Sequence, residues 1–479
     1  MKQEELKELL ESLCSLTDET EVVEFKENNS NKDEIGKRIS AISNSANLLE
    51  KKKGYLVFGV RDKTHEIVGT SFTASKEKVG TDQLEFWLSR QLDPSIDFRI
   101  YEFVYDSKNI VIFEVPPALN MPTKFTNIPY VRIGQATPKL SEYPEKEAKI
   151  WNNINRKNFE KGIAKENCTV GEVLNLLDYS KYFSLTKQEI PSETKKFTEQ
   201  MAQHGLVKKV FDDKYDITNL GAILFAKNLN DFPSIHRKSV RVVQYSGNSR
   251  AVRIKEQEGI LGYAISFENL LNYINDKLPS NEEISKALRK ELKMYPEVAI
   301  REFVANALIH QDLSISGAGP TIEIFDNRVE ITNTGEPLID TDRFIDHPPR
   351  SRNEDLASFM RLIGVCEEGG TGVDRALIEI ALYQLPAPSF VKYEEFTKVI
   401  LYSHKELRDM TLDDKVRACY QHCVLRYVEN ERMTNASLRQ RLGIGESNYP
   451  TASAIIKASI IQGYIKESEK PKEYIPAWA

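Results

Sequence analysis

"YPEVAIREFVANALIHQDL", residues 295–313, carries a pattern that decides how the second half of the chain is read. Glu302, Asn306 and His310 recur every four residues, so in a helix they share one face. Ile300, Phe303, Val304, Ala307 and Leu308 fill the other faces and mark a helix packed into a core. A carboxylate one turn before a carboxamide suits work on phosphates. Magnesium takes hard oxygen ligands and draws few of them from protein when phosphates supply the rest, so the Asn306 side-chain oxygen is a sensible single ligand. Glu302, one turn away, then stands where it can polarise a water for attack on a γ-phosphate. The plainer alternative is a solvent-exposed polar stripe on an amphipathic helix, and the spacing alone favours it.

The next segments of the chain shift the balance. Two strand patterns, "TIEIFD" (321–326) and "RVEITNTG" (328–335), come after the helix, and then a glycine cluster, Gly369, Gly370 and Gly372, directly before a helical pattern. Glycine backbones let N–H groups approach phosphates at a helix N-terminus, where the helix dipole also favours anions.

Working outward, the 479 residues exceed one ordinary core and point to several domains. With 41% hydrophobic and 28% charged residues the composition is that of a soluble globular protein, with no run of membrane-span length. The first residues read as an acidic amphipathic helix without signal-peptide features, so a cytoplasmic location and no membrane partner are expected. Five cysteines without framework spacing indicate free thiols. Cys419, His422 and Cys423 sit at helical spacing without an evident fourth ligand, and a zinc site is set aside. The net charge of −6 means that nucleic acid must be met by local basic patches.

Residues 1–150 read as an α+β module, 151–230 as a linker with a segment ending in a wing around "DDK", 231–405 as the region of the Glu302 helix, and 412–479 as three helices and a wing. The stretch 148–167 reads as a polar, basic connection, and a long helical region is expected up to about residue 313. In the last module Lys457 is the lone cation of its third helix, so that helix has modest means to read a groove, and protein contact or dimerisation stands beside DNA binding as its role.

Near the N-terminus, "EVVEFK" (21–26) reads as a strand with Val22, Glu24 and Lys26 on one, outward face and Val23 and Phe25 on the buried one. That face is open to three readings: a metal site, a nucleic-acid surface, or a solvated ion pair. Lys51, Lys52 and Lys53, with Lys37 and Arg38 on the preceding helix, offer phosphate contacts.

The order "REFVANALIHQD", "RVEITNTGEP", "EEGGTGVDRA" resembles the three boxes of the divergent GHKL-type ATP-binding domain, the Bergerat α/β sandwich shared by gyrase and histidine kinases, in the version called RecG-like in bacterial regulators. The resemblance implies Glu302 as water-activating base, Asn306 as magnesium ligand, and His310 in the site. It places Asn333 and Gly335 beside adenine, Gly369, Gly370 and Gly372 around the phosphates, and Arg352 and Asn353 in a lid over about 340–368. Asn333 stands where the family has aspartate, and an amide accepts less strongly, so nucleotide binding is expected before vigorous hydrolysis. No G-x-x-x-x-G-K-[ST] loop occurs, and helicase activity is not expected.

"ETEVVEFKEN", "RISAISNSAN", "GYLVFGVRD", "IVGTSF" and "YVRIGQAT" together resemble the Schlafen/AlbA-type domain of the same regulators. In relatives with RNase activity the matching carboxylates would fall here at Glu19, Glu24 and Asp62, holding Mg²⁺ or Mn²⁺, with Lys26 stabilising developing charge. The expectation is therefore an α+β multidomain protein: a Schlafen/AlbA-like domain, a winged-helix segment, a GHKL-type domain and a C-terminal winged helix. It binds ATP with Mg²⁺ and DNA or RNA, as an at least dimeric transcriptional regulator. The alternative is a metal-dependent, ATP-gated nuclease of a defence system.

Overall fold

The computed structural model describes residues 3–15, 20–28, 31–211, 213–284, 289–348, 350–366 and 371–479. The chain is a mixed α+β protein in two compact units, Met1–Asn158 and Phe159–Ala479. Among the described residues no helix is long and apolar enough to cross a membrane.

In the first unit a four-stranded sheet runs in the order Val23–Lys26, Gly54–Phe58, Lys108–Val115, Arg99–Tyr105; the first pair is parallel and the others antiparallel. The parallel pair needs a crossover, and the helix Lys32–Leu48 supplies it, opened by Asn31, whose side chain accepts from the amides of Asp33 and Glu34. The hairpin turn expected at 106–109 is present, with Asp106 and Ser107 both at positive φ.

The crossover helix explains an odd feature of the sequence. Ser40, Ser43, Asn44, Ser45 and Asn47 are polar and fully buried. They hydrogen-bond to a segment that belongs to no long strand: Asn44 donates to the carbonyls of Thr123 and Tyr130 (both 2.8 Å), Asn47 to that of Ala118 (2.6 Å), and Ser45 accepts from the Arg132 amide (3.0 Å). An irregular buried backbone must find such partners, and this polar helix face provides them.

The stretch 148–167 does span the boundary between the two units, but it is not plain linker, a first correction: it forms the helix Pro144–Asn158 and then the strand Ile163–Thr169. Ile150 and Ile154, one turn apart, pack with Leu48, Val131 and Leu140. Two apolar positions amid so many polar ones gave the sequence reading too weak a period.

The second unit begins with the three-stranded sheet Ile163–Thr169, Lys214–Thr218, Val207–Phe211, with three short helices along the chain between Ile163–Thr169 and Val207–Phe211. A six-stranded sheet comes after it, in the order Arg253–Glu258, Arg241–Tyr245, Thr321–Ile324, Arg328–Thr334, Phe396–Tyr402, Ser389–Lys392, antiparallel except for the second and third strands. Strand alternation sorts its two faces. Ile322, Ile324, Val329, Ile331 and Leu401 face a layer of helices, among them Tyr263–Lys277, Glu297–His310 (the site helix), Glu354–Leu362 (the wall helix) and Gly372–Leu382 (the closing helix). Glu323 and Glu330 occupy the alternate positions, where Arg250 meets both.

The region expected to be helical up to about 313 is interrupted by an antiparallel hairpin, Ser280–Ile284 with Arg289–Lys293, a second correction. Last come the helices Leu412–Val428, Asn435–Arg441 and Tyr449–Ile461 and the hairpin Ile465–Glu467 with Tyr474–Pro476. Arg417, Gln421 and Arg441 tie this module to the carbonyls of Ala387, Pro388 and Leu385. Cys419 and Cys423 are fully buried free thiols, and His422 bonds Ser437, so the three residues serve the packing of these helices.

Candidate functional site

The site helix, the wall helix, the closing helix and the ends of two sheet strands enclose a cavity of about 240 Å³. Glu302, Asn306 and His310 all line it, so the four-residue spacing does place them on one working face. Asn333 and Thr397, paired across neighbouring strands, form the sheet side, and His347, Arg350, Ser351, Arg352 and Arg361 also line the cavity.

Glu302 is 5% exposed and meets the closing helix at its first residue: a Cβ at Gly372 would overlap the Glu302 carboxylate. That contact explains why glycine stands there. Desolvation raises the Glu302 pKa above the usual carboxylate value, and the more distant Arg375 and Arg301 only moderate it. Burial, aided by Arg352, pushes His310 down to about 4, so it is a neutral imidazole at physiological pH. Asp374, on the first turn of the closing helix, is pushed up to about 6, again by burial.

The strand end that carries Asn333 is locked to the end of the site helix. The Asp312 amide donates to the Thr334 carbonyl (2.8 Å), and the Thr334 hydroxyl donates to the Asp312 carbonyl (3.1 Å). Arg352 spans the junction, pairing with Asp312 at 2.9 Å and donating to the Glu336 carbonyl. Gly335 adopts φ of +92° between Arg352 and Asp312, a crowded position with a left-handed backbone, so it shapes the strand end without lining the cavity.

Asn353 is also outside the lining. It is buried, and its amide donates to the carbonyls of Ile309 (2.8 Å) and Gln311 (2.7 Å), satisfying the C-terminal end of the site helix. Gly369 and Gly370 lie outside the described residues; Gly372 lines the cavity. Sequence reasoning missed Arg350 and Arg361, which line the cavity and make no ion pair among the described residues. Arg361 stands one turn after Ala357, another lining residue, and that i, i+4 pairing was a signal available in the sequence.

The residues suit a magnesium nucleotide on their own geometry. Asn306, whose amide oxygen is a hard ligand, lines the cavity together with two cations, Arg350 and Arg361, and the closing helix begins at its wall with Gly372, which has no side chain.

In the first unit, Glu24 is 2% exposed, so the outward charged face expected of its strand is in fact covered, a third correction. Three cations reach it: Arg38 Nε at 2.9 Å, Lys26 Nζ at 3.4 Å, and the fully buried Arg132. Arg132 arrives because the polar crossover helix holds its backbone, a long-range effect that no local pattern announces. Lys26 also pairs with Asp62 at 2.5 Å, so a lysine bridges the two carboxylates. Glu19 lies outside the described residues. Among the described residues no group of three or more His, Cys, Asp or Glu side chains is arranged to hold a metal ion.

Glu24 lines a polar cleft of mixed charge, with Lys26, Lys37, Arg38 and Lys139 as its cations and Glu34 and Glu142 as further acids. Lys37 pairs with Glu34 at 2.9 Å. Lys51, Lys52 and Lys53 are exposed but do not line this cleft, and Lys53 pairs with Glu114 at 2.8 Å. Lys457 is exposed on its helix.

Residues 19–141 match the family model described as "Schlafen, AlbA_2", and residues 317–401 the one described as "Putative ATP-dependent DNA helicase recG C-terminal". The chain joins an N-terminal Schlafen/AlbA_2 domain to a RecG-related ATPase-type domain. The second match starts after the site helix, so Glu302 and Asn306 lie upstream of it.

Among solved structures, the DIP2311 protein from Corynebacterium diphtheriae aligns over 99% of this chain and 97% of its own at 15% identity, with a TM-score of 0.44. The N-terminal domain of a putative ATP-dependent DNA helicase RecG-related protein from Nitrosomonas europaea aligns over 27% of this chain and 88% of its own at 23% identity, with a TM-score of 0.19. No curated protein matches the chain.

Proposed function

We propose that the protein binds a magnesium nucleotide, ATP by preference, between the site and closing helices, and binds nucleic acid through the cleft of its first unit, as a nucleotide-responsive cytoplasmic regulator. One observation carries the nucleotide reading: Glu302, Asn306 and His310 line one cavity together with Arg350 and Arg361. In this reading Asn306 ligates the magnesium, the arginines and the closing-helix N-terminus take phosphate charge, Asn333 accepts from the base, and Glu302 takes a proton from water. The Asn333 amide already donates to the Thr334 carbonyl at 3.1 Å, which leaves its oxygen as the acceptor.

Nucleic-acid binding is supported by the cleft's cations, Lys37 and Lys139 at its surface above the compensated Glu24. The nuclease alternative asks Glu24 to ligate a metal, yet Arg38, Arg132 and Lys26 already meet both of its oxygens. The two segments with three helices and a hairpin are read as winged helices, the C-terminal one exposing Tyr449 and Ile461 beside Lys457, a surface suited to a second copy in a homodimer as much as to DNA.

The test incubates the purified chain with labelled duplex DNA, single-stranded DNA and RNA, with Mn²⁺ or EDTA and with or without Mg-ATP. A salt-sensitive shift altered by Mg-ATP, without cutting, is the expected result. Mn²⁺-dependent cleavage abolished by Glu24→Gln would replace this reading with the nuclease.

A further inference from the structure

The wall helix Glu354–Leu362 is capped in an unusual way. Asn353 stands at its N-cap, but its amide is spent on the carbonyls of Ile309 and Gln311, and its side chain makes no cap bond. The free N–H groups of the first turn go elsewhere. Glu160, nearly two hundred positions earlier in the chain, accepts from the amide of Leu356 at 2.6 Å and from that of Asp355 at 3.3 Å. It is 8% exposed, a carboxylate buried for this purpose, and its place at a helix N-terminus is the favourable end of the dipole.

The surroundings of Glu160 make this a firm attachment. Lys161 approaches Asp355 at 3.9 Å. On the other side, the Asn219 side chain donates to the Phe159 carbonyl (2.9 Å) and the Asn219 amide to the Gly162 carbonyl (2.7 Å). Residues 159–162 are thus clamped between the wall helix and the helix Asn219–Phe225, and they are the first residues after the N-terminal unit ends at Asn158.

We propose that Glu160 is a positioning residue through which occupancy of the nucleotide site reaches the chain leaving the nucleic-acid-binding unit. The inference rests on the nucleotide reading of the cavity. The wall helix is nine residues long, about 13 Å at 1.5 Å per residue, short enough to move as one body. Arg361, in its last turn, and Ala357 line the cavity wall, and its first turn is held by Glu160. A phosphate that draws Arg361 inward moves the helix, and the carboxylate that caps its far end transmits the displacement to residues 159–162. Burial pushes Glu160 up to about 7, against the two amide hydrogen bonds, with Asp355 and Lys161 the charges facing it; the cap is therefore close to balance near neutral pH.

The experiment is amide hydrogen exchange on the full chain with and without Mg-ATP, in the wild type, Glu160→Ala and Glu160→Gln. In the wild type, Mg-ATP is expected to change exchange severalfold both in 354–362 and in 159–169. In Glu160→Ala the amides of 355 and 356 exchange about tenfold faster without nucleotide, nucleotide affinity stays within about threefold, and the response in 159–169 is lost. Glu160→Gln, which keeps an acceptor oxygen, restores part of it. Unchanged exchange at 355–356 in Glu160→Ala, or a full response of 159–169 to Mg-ATP in that variant, overturns the inference. A wild type with no response in 354–362 and no nucleotide binding overturns the nucleotide reading itself, and this inference with it.

Discussion

Glu24 and Glu302 are both buried carboxylates, 2% and 5% exposed, and both stand in sequences that suggest catalysis. Their surroundings differ. Glu24 is met by Arg38, Lys26 and the fully buried Arg132, so its charge is compensated and its oxygens are occupied. Glu302 makes no ion pair among the described residues, faces a cavity, and has its pKa raised by burial. A carboxylate held by three cations organises a fold; one desolvated beside a cavity is poised to take a proton. Burial and motif alike leave the two indistinguishable, and the partners separate them.

The largest effect that would sharpen this contrast is expected from Glu24→Ala. Removing the carboxylate shared by Arg132 and Arg38 should lower the stability of the first unit by about 3–5 kcal/mol in denaturant unfolding of the full chain, with little change in the second transition. A loss below about 1 kcal/mol would mean that the triple pairing is not what holds this unit together.

On the Glu302 side, Asn306→Ala should weaken binding of a fluorescent ATP analogue at least tenfold in Mg²⁺, about 1.4 kcal/mol, and change it little in EDTA. Equal losses in both conditions would assign Asn306 to the cavity wall instead of the metal. Arg361→Ala comes next, with a drop of roughly fivefold, about 1 kcal/mol, that shrinks as salt is raised; the residue is exposed, so its contribution is screened.

The smallest effect reads the sign of the Glu302 shift. An acid whose folded pKa is raised contributes stability that is fully present below the unfolded value, near 4.5, and lost as pH rises through the folded value. Glu302→Gln lacks this penalty, so the second unit of the variant should gain on the wild type in thermal unfolding as pH rises from the ordinary carboxylate value through the raised one.

How much of this the sequence could reveal depends on the range of the interactions. The face of Glu302, Asn306 and His310 was legible because a helix converts local spacing into shared direction. The hairpin at 106–109, the crossover helix and the three C-terminal helices were legible for the same local reasons. Arg132 meeting Glu24 was not, because the Ser45 hydroxyl holding the Arg132 amide lies 87 positions away. Asn353 and Gly335 sit next to the cavity yet turn inward, one to cap the site helix and the other to shape a strand end, and only the local contacts tell that apart from lining the cavity. Glu160 carried no local signal at all, since the helix it caps lies far along the chain.

The most direct measurement is a calorimetric titration of the full-length wild type, Glu24→Gln and Asn306→Ala with ATP in Mg²⁺. Saturable binding at one site per chain is expected in the wild type, with the same affinity in Glu24→Gln and a loss of at least about tenfold in Asn306→Ala. Absence of binding in the wild type, or equal loss in both variants, would contradict the division of labour between the two buried carboxylates.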